Sequence, residues 1–126
     1  MLMSALLHQQ SEWIERSVVV KNQHGIHANP AAKITSLASL FESEIEVAAS
    51  AVQEYVTVRS MMPIMCLTLS CGTEVTFRAR GTDADAALKV LVDLIAAEFY
   101  EKDGYGKFQE VRLTISNEID EKIHRK

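Results

Sequence analysis

Along this chain the repeat of the apolar residues switches between two and roughly 3.6, and that switching limits the fold more than any other feature. Residues 13–21 are rich in β-branched side chains and run into the turn-prone Asn22-Gln23-His24-Gly25, which predicts a first strand and a loop. From Pro30 onward Ala31, Ile34, Leu37, Ala38 and Phe41 recur at helical spacing, so a helix is expected over 28–41, with the proline in the first turn where its missing N–H costs nothing. Ile45 and Val47 alternate with Glu44 and Glu46, and Val56 and Val58 with Tyr55 and Thr57, two strands that pair as a hairpin. Ser60 precedes Met61-Met62-Pro63-Ile64-Met65 as a serine precedes a helix, giving a short helix over 61–67 with Ile64 and Leu67 turned inward.

The clearest strand is Glu74–Arg80, set between Gly72 and Gly81, with Val75, Phe77 and Ala79 on its buried face and a polar face toward water. Thr82 and Asp85 have the spacing of a capping box, and Leu88, Leu91, Val92, Ile95 and Phe99 form the stripe of the longest helix, ending near Gly104. The order β-α-β-β-α-β-α specifies an α+β open-faced β-sandwich, a four-stranded antiparallel sheet with three helices on one face. Val111, Leu113 and Ile115 alternate with Arg112 and Thr114, which reads as a further strand or an extended arm before a charged tail over 117–126. Such an arm would add an edge strand within the monomer or pair two copies as a dimer. The chain therefore divides into an N-terminal extension, 1–12, a domain, 13–100, and a C-terminal extension, 101–126.

Charge and length remove several classes of function. With 13 basic and 17 acidic residues the net charge is −4, and no Lys/Arg block is present to neutralise a run of phosphates, so nucleic acid is not an expected partner. The first ten residues are apolar only briefly and lack a basic leader, so no membrane association and a cytoplasmic location are expected. Cys66 and Cys71 lie among apolar neighbours and read as buried reduced thiols rather than a disulfide or a metal pair. Neither a metal site nor a cofactor is expected.

The segment Gly25-Ile26-His27-Ala28-Asn29-Pro30-Ala31-Ala32 places an imidazole where a glycine turn meets a helix N-terminus. Unpaired amides and the positive end of the helix dipole favour an anion there, and a neutral imidazole is a nucleophile, so His27 is a candidate phosphoacceptor. By itself the same histidine also reads as an N-cap or a solvated turn residue. His24, three residues earlier, reads either as an exposed turn residue or as a second source of positive charge.

This segment resembles the Gly-Leu-His-Ala-Arg-Pro-Ala pattern of the HPr family of phosphotransferase-system carriers. The resemblance runs from Glu15 to Phe99 and includes Arg59-Ser60, the Met/Ile/Leu run after it, and Gly81-Thr82-Asp83. It implies the same open-faced sandwich, phosphorylation of His27 at Nδ1 by Enzyme I, transfer to IIA-type phosphoacceptor proteins, and phosphate binding by the amides of Ala28 and Asn29. It further implies that Ser60 is a target of a regulatory serine kinase, with Arg59 assisting the added phosphate, although a serine there is also an ordinary helix cap. The short helix and the active-site loop would face partners, with Met61 and Met62 exposed. The departure is Asn29, where the family has arginine. A charge-assisted hydrogen bond contributes about 1.5–3 kcal/mol against about 1 for a neutral one, so transfer would slow by roughly an order of magnitude or more. A regulatory HPr-like protein that binds partners but transfers phosphate poorly is thus the alternative to a working carrier; a small-molecule-binding α+β module is more remote.

Overall fold

The computed structural model describes residues 12–104 and 106–124. Its strands are β1 (Ile14–Val19), β2 (Glu44–Ala49), β3 (Val56–Thr57) and β4 (Glu74–Arg80), and its helices α1 (Ala28–Ala38), α2 (Met61–Cys66), α3 (Ala84–Ala96) and α4 (Lys107–His124). The four strands form one antiparallel sheet in the order β1-β4-β2-β3, as the sequence pattern predicts. β4 lies in the middle, where Val75, Phe77 and Ala79 are fully buried and meet Ile34, Leu37, Leu88, Leu91 and Ile95 in a single core. Burying one face of the sheet under helices is what confines the apolar residues to alternate strand positions.

The opposite face is more structured than a polar surface open to water. The Arg78 guanidinium is stacked between Trp13 and Tyr55, 4.3 and 3.9 Å from the ring centroids, and pairs with Glu46 at 2.6 Å. Thr76 on the same face is buried and exchanges hydroxyl hydrogen bonds with Ser17 and Ser50.

Four local expectations are corrected. The helix expected to be the longest and to end near Gly104 stops at Ala96, before the positive-φ residues Glu98, Phe99 and Tyr100, and its 13 residues are exceeded by the 18 of α4. The capping box does not form: Asp83 is the N-cap of α3, Asp85 pairs with Arg16, and the Asp83 carboxylate accepts hydrogen bonds from the amides of Glu42 and Ser43 and from Ser43 Oγ. Cys66 and Cys71 are free and exposed, because the short α2 turns Ile64 inward and the following loop buries Leu69, leaving both thiols on the outer side. Finally, residues 107–124 form neither a strand nor an extended arm but a helix. Phe108, Ile115 and Ile119 rest on the core and, with the half-buried Val111 between them, recur at spacings of three and four, whereas Leu113, the middle residue of the apparent alternation, is 62% exposed.

The chain reaches α4 through the segment Glu98–Asp103, where Glu98, Phe99 and Tyr100 all have positive φ. Burial of Phe99 at 0% exposure holds this turn in place. α4 then runs beside α1: Lys33 Nζ lies 5.5 Å from the centroid of the Phe108 ring, and Arg112 donates to the hydroxyls of Ser36 and Ser39.

Candidate functional site

The approach to His27 is built by hydrogen bonds within one turn and between two loops. Gly25 N–H donates to the Asn22 carbonyl at 3.1 Å and the buried Asn22 Nδ2 donates back to the Gly25 carbonyl at 2.7 Å. Ile26 N–H donates to the Leu69 carbonyl at 2.8 Å, tying the turn to the loop after α2. His27 is the N-cap of α1, in extended conformation, and its carbonyl accepts the Ala31 amide at 3.0 Å. Pro30 and Ala31 are buried while His27, Ala28 and Asn29 are exposed, so the helix start is anchored on the core and its tip faces solvent.

Three of the residues singled out from the sequence therefore come together. The amides of Ala28 and Asn29 precede the first residue able to bond within the helix, so they point outward from the helix end beside the imidazole. The His27 side chain makes no capping bond, and the His24 ring stands edge-on to it at 6.4 Å between centroids.

Ser60, Met61 and Met62 lie elsewhere. The Arg59 guanidinium donates to the carbonyls of Ala38, Phe41 and Ser43 at 2.7, 2.8 and 2.6 Å, which places the start of α2 at the C-terminal end of α1. An 11-residue helix spans about 16 Å, so His27 and Ser60 sit at opposite ends of it. That arrangement corrects the role given to Arg59: its donors hold the last carbonyl of α1, where a cation also suits the helix dipole, and two carbonyls of the loop after it, instead of waiting for a phosphate on Ser60. Ser60 is the exposed N-cap of α2 with no side-chain cap bond. Met62 is 65% exposed as expected, but Met61 is half-buried against the core.

Beside the His27 end of α1 lies an open cleft of about 490 Å³ that sequence reasoning missed. Asn29 and Lys33 line one side of it; Tyr100, Glu101, Phe108 and Gln109 line the other. Lys33 Nζ crosses it to donate to the Phe99 carbonyl at 2.8 Å. Burial, with the nearby carboxylates of Asp93 and Asp103, pushes the Tyr100 phenol above its ordinary value. The signal that would have found this wall was the helical spacing from Phe108 to Ile119, overlooked in favour of the two-residue alternation. Among the described residues no group of three or more His, Cys, Asp or Glu is placed to hold a metal ion, and no helix is long and apolar enough to cross a membrane.

Residues 14–97 match the family model described as the PTS HPr component phosphorylation site. The phosphocarrier protein NPr of Shewanella violacea is 34% identical over 88 residues, covering 70% of this chain and 94% of that protein. The phosphocarrier protein HPr of Treponema pallidum is likewise 34% identical, over 89 residues, covering 71% and 99%. The crystal structure of HPr from Thermoanaerobacter tengcongensis superposes with a TM-score of 0.65 at 41% identity, covering 70% of this chain and 97% of that one.

Proposed function

Since the chain belongs to the HPr family of phosphotransferase-system phosphocarriers, we propose that His27 is its phosphoacceptor, loaded by Enzyme I and discharged to IIA-type acceptor proteins. The observation that carries this reading is the position of His27: an exposed imidazole at the N-cap of a helix whose first amides, on Ala28 and Asn29, are free to receive an anion. In the transfer, the lone pair of the imidazole Nδ1 attacks phosphorus while the donor's bond to phosphorus breaks and leaves its electron pair on the donor. The amides of Ala28 and Asn29 and the Asn29 side chain hydrogen-bond the phosphoryl oxygens. An N–P bond is labile, which suits a group that has to be handed on.

Partners dock on the His27 loop and on the exposed Met62 near the other end of α1, a surface supported by the exposure of both. A regulatory serine kinase acting on Ser60 belongs to the same reading, supported by that residue's exposure and extended backbone. One observation favours a second reading, a regulatory protein of this family that transfers poorly: Asn29 offers a neutral amide where a guanidinium would give a charge-assisted pair.

Intact mass after incubation with phosphoenolpyruvate and Enzyme I tests both. The wild-type chain should gain one acid-labile phosphate and His27→Ala none. An Asn29→Arg variant that labels about tenfold faster would favour the regulatory reading for the natural chain. No label on any histidine-bearing form would sink the carrier proposal.

A further inference from the structure

Resting on that carrier reading, we propose that Lys33 is the cation that meets the phosphoryl group on His27. Lys33 follows Asn29 by four residues, about 6 Å along α1, and therefore shares its face of the helix. The two residues line the same cleft, and side chains on a helix lean toward its N-terminus, so the four-carbon stem of Lys33 has the reach to bring its ammonium toward the Asn29 end.

Among the described residues the ammonium has no charged partner. Its contacts among the described residues are the Phe99 carbonyl at 2.8 Å and the face of the Phe108 ring, neither of which neutralises a charge. Glu101 lines the cleft but forms no ion pair with it among the described residues. A phosphoryl group at the tip of α1 would satisfy the dipole, the two free amides and the lysine together. A phosphoryl oxygen is a stronger acceptor than a neutral carbonyl, so the ammonium exchanges Phe99 for phosphate as the group arrives. The lysine changes acceptors and gives up no proton; the bond that forms is His27 nitrogen to phosphorus, and the bond that breaks is phosphorus to the donor.

This reading also gives the C-terminal segment a task. The left-handed turn at Glu98, Phe99 and Tyr100, pinned by the buried Phe99 ring, aims a carbonyl at Lys33 and keeps the ammonium in the cleft between transfers.

The test is the initial rate of labelling by phosphoenolpyruvate and Enzyme I for the full chain, its Lys33→Gln and Lys33→Arg variants, and the double variant Lys33→Gln/Asn29→Arg. Circular dichroism should be unchanged throughout, because glutamine keeps a donor for the Phe99 carbonyl. Lys33→Gln should label about tenfold more slowly, Lys33→Arg at close to the wild-type rate, and the double variant should recover because its guanidinium returns a charge from one turn away. Wild-type labelling rates in Lys33→Gln, or a loss that neither arginine restores, would overturn the proposal while leaving His27 as acceptor. A wild-type chain that never labels would remove the carrier reading and this inference with it.

Discussion

Gly25 is the residue on which the geometry around His27 turns. Its φ is +65°, and a Cβ added to it would stand 2.5 Å from the Leu69 carbonyl oxygen and 2.8 Å from Ser70 Cα, both backbone atoms with little room to give. Gly25→Ala combines left-handed strain with overpacking, and we expect a loss of about 1–3 kcal/mol in urea-unfolding free energy. Because Ile26 donates to the same Leu69 carbonyl, the two loops would part at that contact, and labelling of His27 should fall more than stability alone explains. A substitution that leaves both quantities at wild-type values would show that the loops yield at no cost. The turn itself was legible in the Asn-Gln-His-Gly sequence. The loop it touches lies more than 40 positions away, and no local pattern announces it.

At the scale of elements, α4 is the unit least tied to the rest. Phe108, Ile115 and Ile119 meet the core, yet Leu113 and Ile123 stay exposed, so its apolar contact with the rest is one narrow stripe. Removing the Phe108 ring takes away its most buried contact. Phe108→Ala should therefore speed amide exchange across 107–124 while protection in β4 and α3 is unchanged, since loosely packed elements open on their own. Parallel loss of protection in β4 would place α4 in the same cooperative unit as the sheet. Neighbouring α1 is fixed more firmly, with Pro30 at its start and the Arg59 guanidinium on the Ala38 carbonyl at its end and on those of Phe41 and Ser43 in the loop that follows. The proline was readable in advance as a helix-start residue, whereas the arginine was assigned to a phosphate because its targets are backbone atoms that only folding brings to it.

For the molecule as a whole, Asp83 links the entrance of β2 to the entrance of α3. Burial acts to raise its carboxyl, but the hydrogen bonds from Ser43 Oγ and from the amides of Glu42 and Ser43 outweigh it and hold the group below its ordinary value. A carboxyl lowered on folding contributes its stability above the unfolded value, and that contribution fades as pH falls through the folded value. Denaturant midpoints should thus drop between pH 7 and pH 3 in the wild-type chain and drop less in Asp83→Asn. Equal slopes in the two proteins would remove Asp83 from the acid sensitivity of the fold. Gly81 belongs to the same junction: with φ at +138° it passes so close to Ser43 that a Cβ would overlap Ser43 Oγ at 2.5 Å.

What the sequence determined by itself was periodic. The strands, α1, the body of α3 up to Ala96, the antiparallel sheet with one buried face and the place of His27 at a helix start all follow from apolar spacing and from residues with strong backbone preferences, which act over a few positions. What only the tertiary structure decided was either ambiguous in period or carried between distant segments. Val111, Leu113 and Ile115 fit both a strand and part of a helix, and contact with the core chose the helix. Cys66 and Cys71 have apolar neighbours in sequence, yet folding leaves both exposed. Lys33, Tyr100 and Phe108 come together across more than 60 positions because Phe99 is buried and turns the chain back toward α1, and hydrophobic burial of that kind depends on the whole core being assembled.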